Sequence, residues 1–270
     1  MQPFKPDLPA GWTALHLPET DSTMSALRRQ PASDAPFELL TADFQTAGHG
    51  QRGTVWEAER GQNLLFSFRF HPQFLPAARQ FALSEALSLA IVRALRPLGV
   101  EATVKWPNDI YVGQRKLSGM LLEHTLAGNA IATTLTGVGV NVNQTDFQGD
   151  APNPVSLRQL LGRSTDRAAL LGDILRHFDE LYRDLSLGCA DSVHAAYLRH
   201  LFRREGLHPY RDAQGPFMAS ISDITPQGLL VLQRPNGSRR AYAFKEVCFQ
   251  LGIRNEELGI GCADGTPSNS

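Results

Sequence analysis

Between residues 63 and 70 the chain sets Leu64, Phe66, Phe68 and Phe70 against Leu65, Ser67 and Arg69. A period of two with one wholly apolar face predicts a strand. The rhythm then changes. Phe81, Leu87, Ile91, Val92 and Leu95 recur at helical spacing over 78–95, and Pro97-Leu98-Gly99 closes that helix. Strand-like segments at 15–17 and 37–42 precede this pair. Between them Asp21-Ser22-Thr23 offers capping side chains to a short helix ending near Arg28-Arg29. Further strands are predicted at 102–105, 110–112, 117–123 and 131–143, separated only by turn formers such as Pro107-Asn108-Asp109 and Gly128-Asn129. Connections this short imply antiparallel or mixed pairing. Helices over 166–187 and 192–202 follow, the first with Leu170, Leu171, Ile174 and Phe178 on one stripe.

After Arg203-Arg204-Glu205-Gly206 the apolar segments shorten. Alternation at 217–221, 228–232 and 241–244, with a turn at Pro235-Asn236-Gly237, has the look of a small barrel. A unit of about 45 residues buries little surface alone and is expected to lean on the larger one. The organisation read from the pattern is a large unit over 1–205, a small barrel over 206–253 and a polar tail over 254–270.

Composition adds exclusions. Of 270 residues, 42% are hydrophobic and 20% charged, which excludes a disordered, collagen-like or coiled-coil chain. Twenty-six basic side chains against 27 acidic leave a net charge of -1, so no global positive field draws the chain to nucleic acid or anionic lipid. Arg203-Arg204 and Arg239-Arg240 are too short to reverse that. The first residues lack the apolar run of a signal peptide, and no apolar run reaches the roughly 18 residues of a membrane span. A cytoplasmic protein without a membrane partner is expected. Cys189, Cys248 and Cys262 lack CxxC spacing and make no zinc pattern with His177, His194 and His200, so free thiols are expected and the metal ligands, if any, stay unknown.

Four segments carry candidate chemistry. Gly48-His49-Gly50-Gln51-Arg52-Gly53 matches G-x-G-x-x-G literally, but Thr54-Val55-Trp56 and a strand follow it where a dinucleotide fold requires a helix. Its glycines would still let backbone N–H groups turn toward an anion, with His49, Gln51 and Arg52 as side-chain donors; an incidental surface loop is the alternative. Lys105-Trp106-Pro107-Asn108-Asp109 puts a cation, a large aromatic and an acidic turn within five residues. That group could hold a phosphate and a metal, or Trp106 could be core and Asn108-Asp109 turn chemistry. In the segment from Lys116 to Glu123 the period places Leu117, Gly119 and Leu121 on one face, with Lys116 at the strand mouth and Gly119 leaving room for a ligand. In Gly137-Val138-Gly139-Val140-Asn141-Val142-Asn143 the valines share one face, and the other is nearly flat with amide groups. Either a planar ligand or a neighbouring element would pack on that flat face.

Taken together, these segments resemble the biotin protein ligases. Ser22-Thr23, the glycine and arginine loop closed by Trp56, Lys105 to Asp109, Lys116-x-x-Gly119-x-x-x-Glu123 and Gly137-x-Gly139-x-Asn141 stand in the family's order across about residues 12–160. The resemblance implies an α+β or α/β catalytic domain like that of class II aminoacyl-tRNA synthetases, with a mixed sheet, plus a C-terminal SH3-like β-barrel. It also implies ATP-dependent ligation of biotin to a lysine of a biotin carboxyl carrier domain through biotinyl-5'-AMP, with Mg²⁺. By position, Ser22, Thr23, Met24, Gln45, Gly48, His49, Gly50, Gln51, Lys116 and Gly119 would contact biotin. Arg52, Trp56, Lys105, Asn108, Asp109 and Asn141 would lie near the nucleotide, and Lys116 would be the catalytic cation. No helix-turn-helix precedes residue 12, so the repressor activity of longer members is not expected; a homodimer is a modest expectation. His49 and Gln51 stand where many members have Arg, and Met24 where they have Asn. The rival readings are a lipoate or octanoate ligase on the same fold and a non-catalytic binder of biotin or its carrier.

Overall fold

The computed structural model describes residues 4–31, 33–50, 55–149 and 153–251. A seven-stranded sheet runs in the order β1-β2-β3-β7-β6-β5-β4: β1 is Trp12–Leu17, β2 Phe37–Ala42, β3 Leu64–Phe70, β4 Thr103–Lys105, β5 Asp109–Val112, β6 Arg115–Ala127 and β7 Ala130–Val140. Only β1 and β2 are parallel and every other pairing is antiparallel, so the sheet is mixed, as the short connections require.

Three longer helices pack together around one face, α2 (Phe81–Leu95), α4 (Arg167–Ser186) and α5 (Ala190–Arg199). Asp166 caps α4 by accepting from the Ala168 and Ala169 amides. Ser156 and Gln159 form a reciprocal capping box on the short α3 (Leu157–Leu161), an element the pattern alone did not reveal. The core between these helices and the sheet is rich in rings: Trp12 stacks on Phe37 at 4.4 Å, and Phe178 meets Phe68 at 4.9 Å.

The opposite face of the sheet is also covered, which is why Leu65 and Ser67 are as buried as the phenylalanines between them. There α1 (Thr23–Arg29) lies against β2, β3 and β7, and Met24, Ala26 and Leu27 pack with Leu40 and Leu135.

The last five strands, β8 (His208–Asp212), β9 (Gly215–Ile224), β10 (Leu230–Gln233), β11 (Arg239–Tyr242) and β12 (Val247–Phe249), form a second antiparallel sheet ordered β11-β10-β9-β8-β12. This is consistent with an SH3-like unit. Gly237, at φ +83°, makes the predicted turn between β10 and β11. The second sheet is tied to the first unit by specific bonds: the Trp106 indole donates to the Gly228 carbonyl at 2.9 Å, and His194 of α5 bridges Glu85 of α2 and Asp223 of β9 at 2.7 and 3.1 Å.

No described helix is long and apolar enough to cross a membrane. Among the cysteines expected to be free, Cys189 is free and exposed, but Cys248 is disulfide-bonded; the odd count and the missing CxxC spacing gave no signal for that bond.

Candidate functional site

The site lies on the face of the main sheet that carries α1. Register fixes its floor. Across four strands Leu65, Gly139, Gly119 and Asp109 are direct neighbours, and the next row holds Ser67, Gly137 and Leu121. Glycine at the centre of both rows lowers the floor by a side chain's depth.

Lys116 reaches this floor because of a bulge. In the pairing of β5 with β6, Ile110 stands opposite Ser118 while Tyr111 stands opposite Lys116, so Leu117 is the extra residue. In a regular strand Lys116 and Gly119 would point to opposite faces. Here Leu117 drops into the helix-side core with Met120, and a Cβ on Gly119 would lie 3.2 Å from Lys116 Cε and Nζ. This corrects the expectation that Leu117, Gly119 and Leu121 share a face: Gly119 and Leu121 line the site side, Leu117 the core.

Lys116 Nζ pairs with Asp109 at 2.7 Å and sits 5.7 Å from the centre of the Trp56 ring. Trp56 itself lies across the glycine floor. A Cβ on Gly139 would come within 2.2 Å of its ring, and the indole N–H is buried with no hydrogen-bond partner among the described residues. The flat face of β7 is therefore covered by a neighbouring side chain: Trp56 on Gly139, and Met24, whose sulfur would be 2.5 Å from a Cβ at Gly137.

The far wall is the start of α1. Ser22 caps the helix, and the Thr23 amide and hydroxyl both donate to Gln45 Oε1, at 2.7 and 2.9 Å. Ser67 then donates to the Thr23 hydroxyl at 2.8 Å. Ser67 was not singled out from sequence; its place as a small polar residue between Phe66 and Phe68 was the available signal. A salt bridge from Arg29 to Asp21 lowers the Asp21 carboxyl well below the usual range and fixes the turn before the helix.

The two flanks of the glycine loop are paired, with His49 bridged to Val55 and the Trp56 amide donating to the Gly48 carbonyl at 3.0 Å. Gly48 is buried against Gln45, and the exposed His49 turns its Nδ1 back to the Ala47 carbonyl at 3.1 Å, while Gly50 is half-buried beside it. Gln51 and Arg52 lie outside the described residues.

The Lys105 to Asp109 hairpin faces two ways. Asn108 donates to the Met120 carbonyl and receives the Met120 amide at 3.1 Å, which with Asp109 ties it to the site strand β6. Trp106 is 3% exposed and bonds to the second sheet, so for this residue the core reading holds. The ammonium of Lys105 rests over the rings of Tyr111 and Phe249, 5.2 Å from each, and burial pushes its pKa down. Asn141 is buried just past β7, its amide bonded to the Leu117 carbonyl at 2.9 Å.

The arrangement therefore offers two lysine cations, one carboxylate, an unpaired indole N–H and a wall of hydroxyls around a glycine-lowered floor. Comparison with known proteins gives it a family. The model for the biotin/lipoate A/B protein ligase family matches residues 18–141. That span holds every segment from Ser22 to Asn141 assembled above. Over that span the chain is similar to this family of ligases. It is 29% identical to the biotin–[acetyl-CoA-carboxylase] ligase of Paracoccus denitrificans over 86% of this chain and 99% of that protein. With the bifunctional ligase/repressor BirA of Bacillus spizizenii it shares 28% identity over 82% of this chain and 70% of the relative. A solved biotin protein ligase from Aquifex aeolicus, in complex with biotin and ATP, matches with TM-score 0.72 and 23% identity over 87% of this chain and 97% of that one. The last comparison establishes the fold, including the C-terminal sheet.

Proposed function

We propose that this ligase joins biotin to a lysine of a biotin carboxyl carrier domain at the expense of ATP. The observation that carries the reading is the placement of Lys116 over the paired glycines 119 and 139, with Asp109 at hydrogen-bond distance. The biotin half of the reading rests on the relatives, which are named as biotin ligases.

In the first step a biotin carboxylate oxygen forms a bond to the α-phosphorus, and the bond to pyrophosphate breaks with its electron pair. Both reactants are anionic, so the barrier is largely electrostatic. Lys116 would bridge the carboxylate and the phosphoryl oxygens, held in position by Asp109. In this reading Ser22, Thr23 and Gln45 border the biotin end, Met24 and Gly48 to Gln51 close over it, and Arg52, Trp56, Lys105, Asn108 and Asn141 surround the nucleotide. Trp56 then keeps water from the mixed anhydride. In the second step the neutral amine of the carrier lysine attacks the acyl carbon, AMP leaves with the bond pair, and the amine proton is released.

Among the described residues no three carboxylate, histidine or cysteine side chains cluster as an all-protein metal cage. A lone carboxylate fits Mg²⁺, which is commonly held by one or two carboxylates together with the substrate's phosphates. Asp109 is the residue that would help hold it, and the ion would supply charge neutralisation at those phosphates.

The domain division 1–205 and 206–253, a cytoplasmic location, a homodimer through the exposed β1 edge and no nucleic-acid partner complete the proposal. Incubation with an apo carrier domain, ATP and Mg²⁺ tests it by mass spectrometry of the carrier. One adduct on one lysine, formed with biotin alone among biotin, lipoate and octanoate, is the expected result. A lipoyl or octanoyl adduct would move the protein to the sister activity.

A further inference from the structure

Lys105 has an unusual set of neighbours for a cation beside a phosphate-handling site. Asp109 stands directly across from it in the β4–β5 pairing, yet that carboxylate is already engaged by Lys116. No ion pair to Lys105 occurs among the described residues, and the other charged groups near it, Lys116 and Arg203, are cations. What faces the ammonium is rings: Tyr111 from β5 of its own sheet and Phe249 from β12 of the second sheet, each with its centroid 5.2 Å away. Phe249 is itself braced, edge-on to Tyr210 at 5.0 Å and 6.3 Å from Phe202, and Phe202 in turn stands 5.5 Å from Tyr111.

Such an environment differs from a salt bridge in what it leaves over. A lysine paired to a carboxylate must give up that partner before it meets a phosphate. A lysine held by ring faces is attracted by their quadrupoles while its full charge stays uncompensated. We propose that Phe249, from the C-terminal sheet, is a positioning residue for the nucleotide step, holding the Lys105 ammonium unpaired beside the Lys116–Asp109 couple for a nucleoside triphosphate. This rests on the proposed function. It gives the C-terminal sheet a defined part in the reaction, and Trp106, bonded to Gly228 two positions before Asn108, holds the same hairpin to the same sheet.

The experiment uses the full chain and two readouts, ATP affinity by calorimetry without any acid, and the KM values for ATP and biotin in pyrophosphate exchange. Phe249→Leu is expected to weaken ATP binding about fivefold and raise the KM for ATP alike, leaving the KM for biotin unchanged. Phe249→Tyr, which keeps the ring, should stay within about twofold of the parent. Phe244→Leu, which removes a ring that touches Trp106 but not Lys105, controls for general loosening of the second sheet. In a Lys105→Gln background the Phe249→Leu change should add nothing to the loss of ATP affinity. Equal behaviour of Leu and Tyr at 249, a matching loss in Phe244→Leu, or additivity with Lys105→Gln would overturn the proposal. Calorimetry separates the two failures: exchange absent with every acid, while ATP affinity still follows the ring at 249, sinks the biotin reading and leaves the role of Phe249 standing.

Discussion

Gly139 makes the sharpest claim at the scale of a single residue. Its missing Cβ is where the Trp56 ring lies, and Gly119 across the strand leaves space for both that ring and the Lys116 tip. A methyl group at 139 cannot be absorbed by rotating a flexible end, because the atoms it meets belong to a rigid indole. Gly139→Ala should displace Trp56, cut the rate of acid-dependent exchange by up to about 100-fold and change the tryptophan emission. Gly137→Ala collides with the flexible Met24 side chain and meets Ser67 Oγ only at ordinary contact distance, so it should cost much less. Equal rates and unchanged emission in Gly139→Ala would place Trp56 elsewhere. At this scale the sequence was legible in kind but not in geometry. The glycines of β7 announced a close approach, yet whether ligand, helix or side chain made it could not be read. The bulge at Leu117 is likewise silent in the pattern, although it is what turns a Lys-x-x-Gly spacing into two neighbours on one face.

Elements bring together residues that the chain holds far apart, and the link between α2, α5 and β9 is the clearest case. Glu85 is 3% exposed, and burial holds its carboxyl above the ordinary range even though His194 pulls it down. The hydrogen bond that the His194 imidazole donates to Glu85, against the cost of burial, raises its pKa to about 9. Both shifts point the same way: the folded protein holds this proton more tightly than the unfolded chain. The stabilisation is complete below the ordinary histidine value of 6.5 and is lost as pH rises through about 9. His194→Gln should therefore narrow the fall in Tm between pH 7 and 10. At pH 7 it should cost about 1–3 kcal/mol by weakening the bond to a buried acceptor. A mutant whose Tm runs parallel to the parent's over that range would contradict this. Most elements were visible from periodicity, because β3 alternates and α4 carries a stripe. The two strands at the ends of the second sheet's β8–β12 pairing, His208–Asp212 and Val247–Phe249, were not. They are short and half exposed, and they are ordered by pairing with one another and with β9, which local sequence does not record.

For the whole molecule, a mixed sheet takes one face to make a helix-backed core and keeps the other for chemistry. The second sheet grips the β4–β5 hairpin from outside through Trp106 and Phe249. In the proposed reaction this face activates a carboxylate by adenylation, with Lys116 at the reacting charges. Pyrophosphate exchange into ATP, with each acid in turn and with Lys116→Met alongside the parent, tests it most directly. Exchange is expected to require biotin and to fall roughly 100- to 1000-fold in Lys116→Met, the scale of removing one group that stabilises developing charge. Exchange without an added acid, exchange driven by lipoate or octanoate in place of biotin, or full activity in Lys116→Met would contradict it.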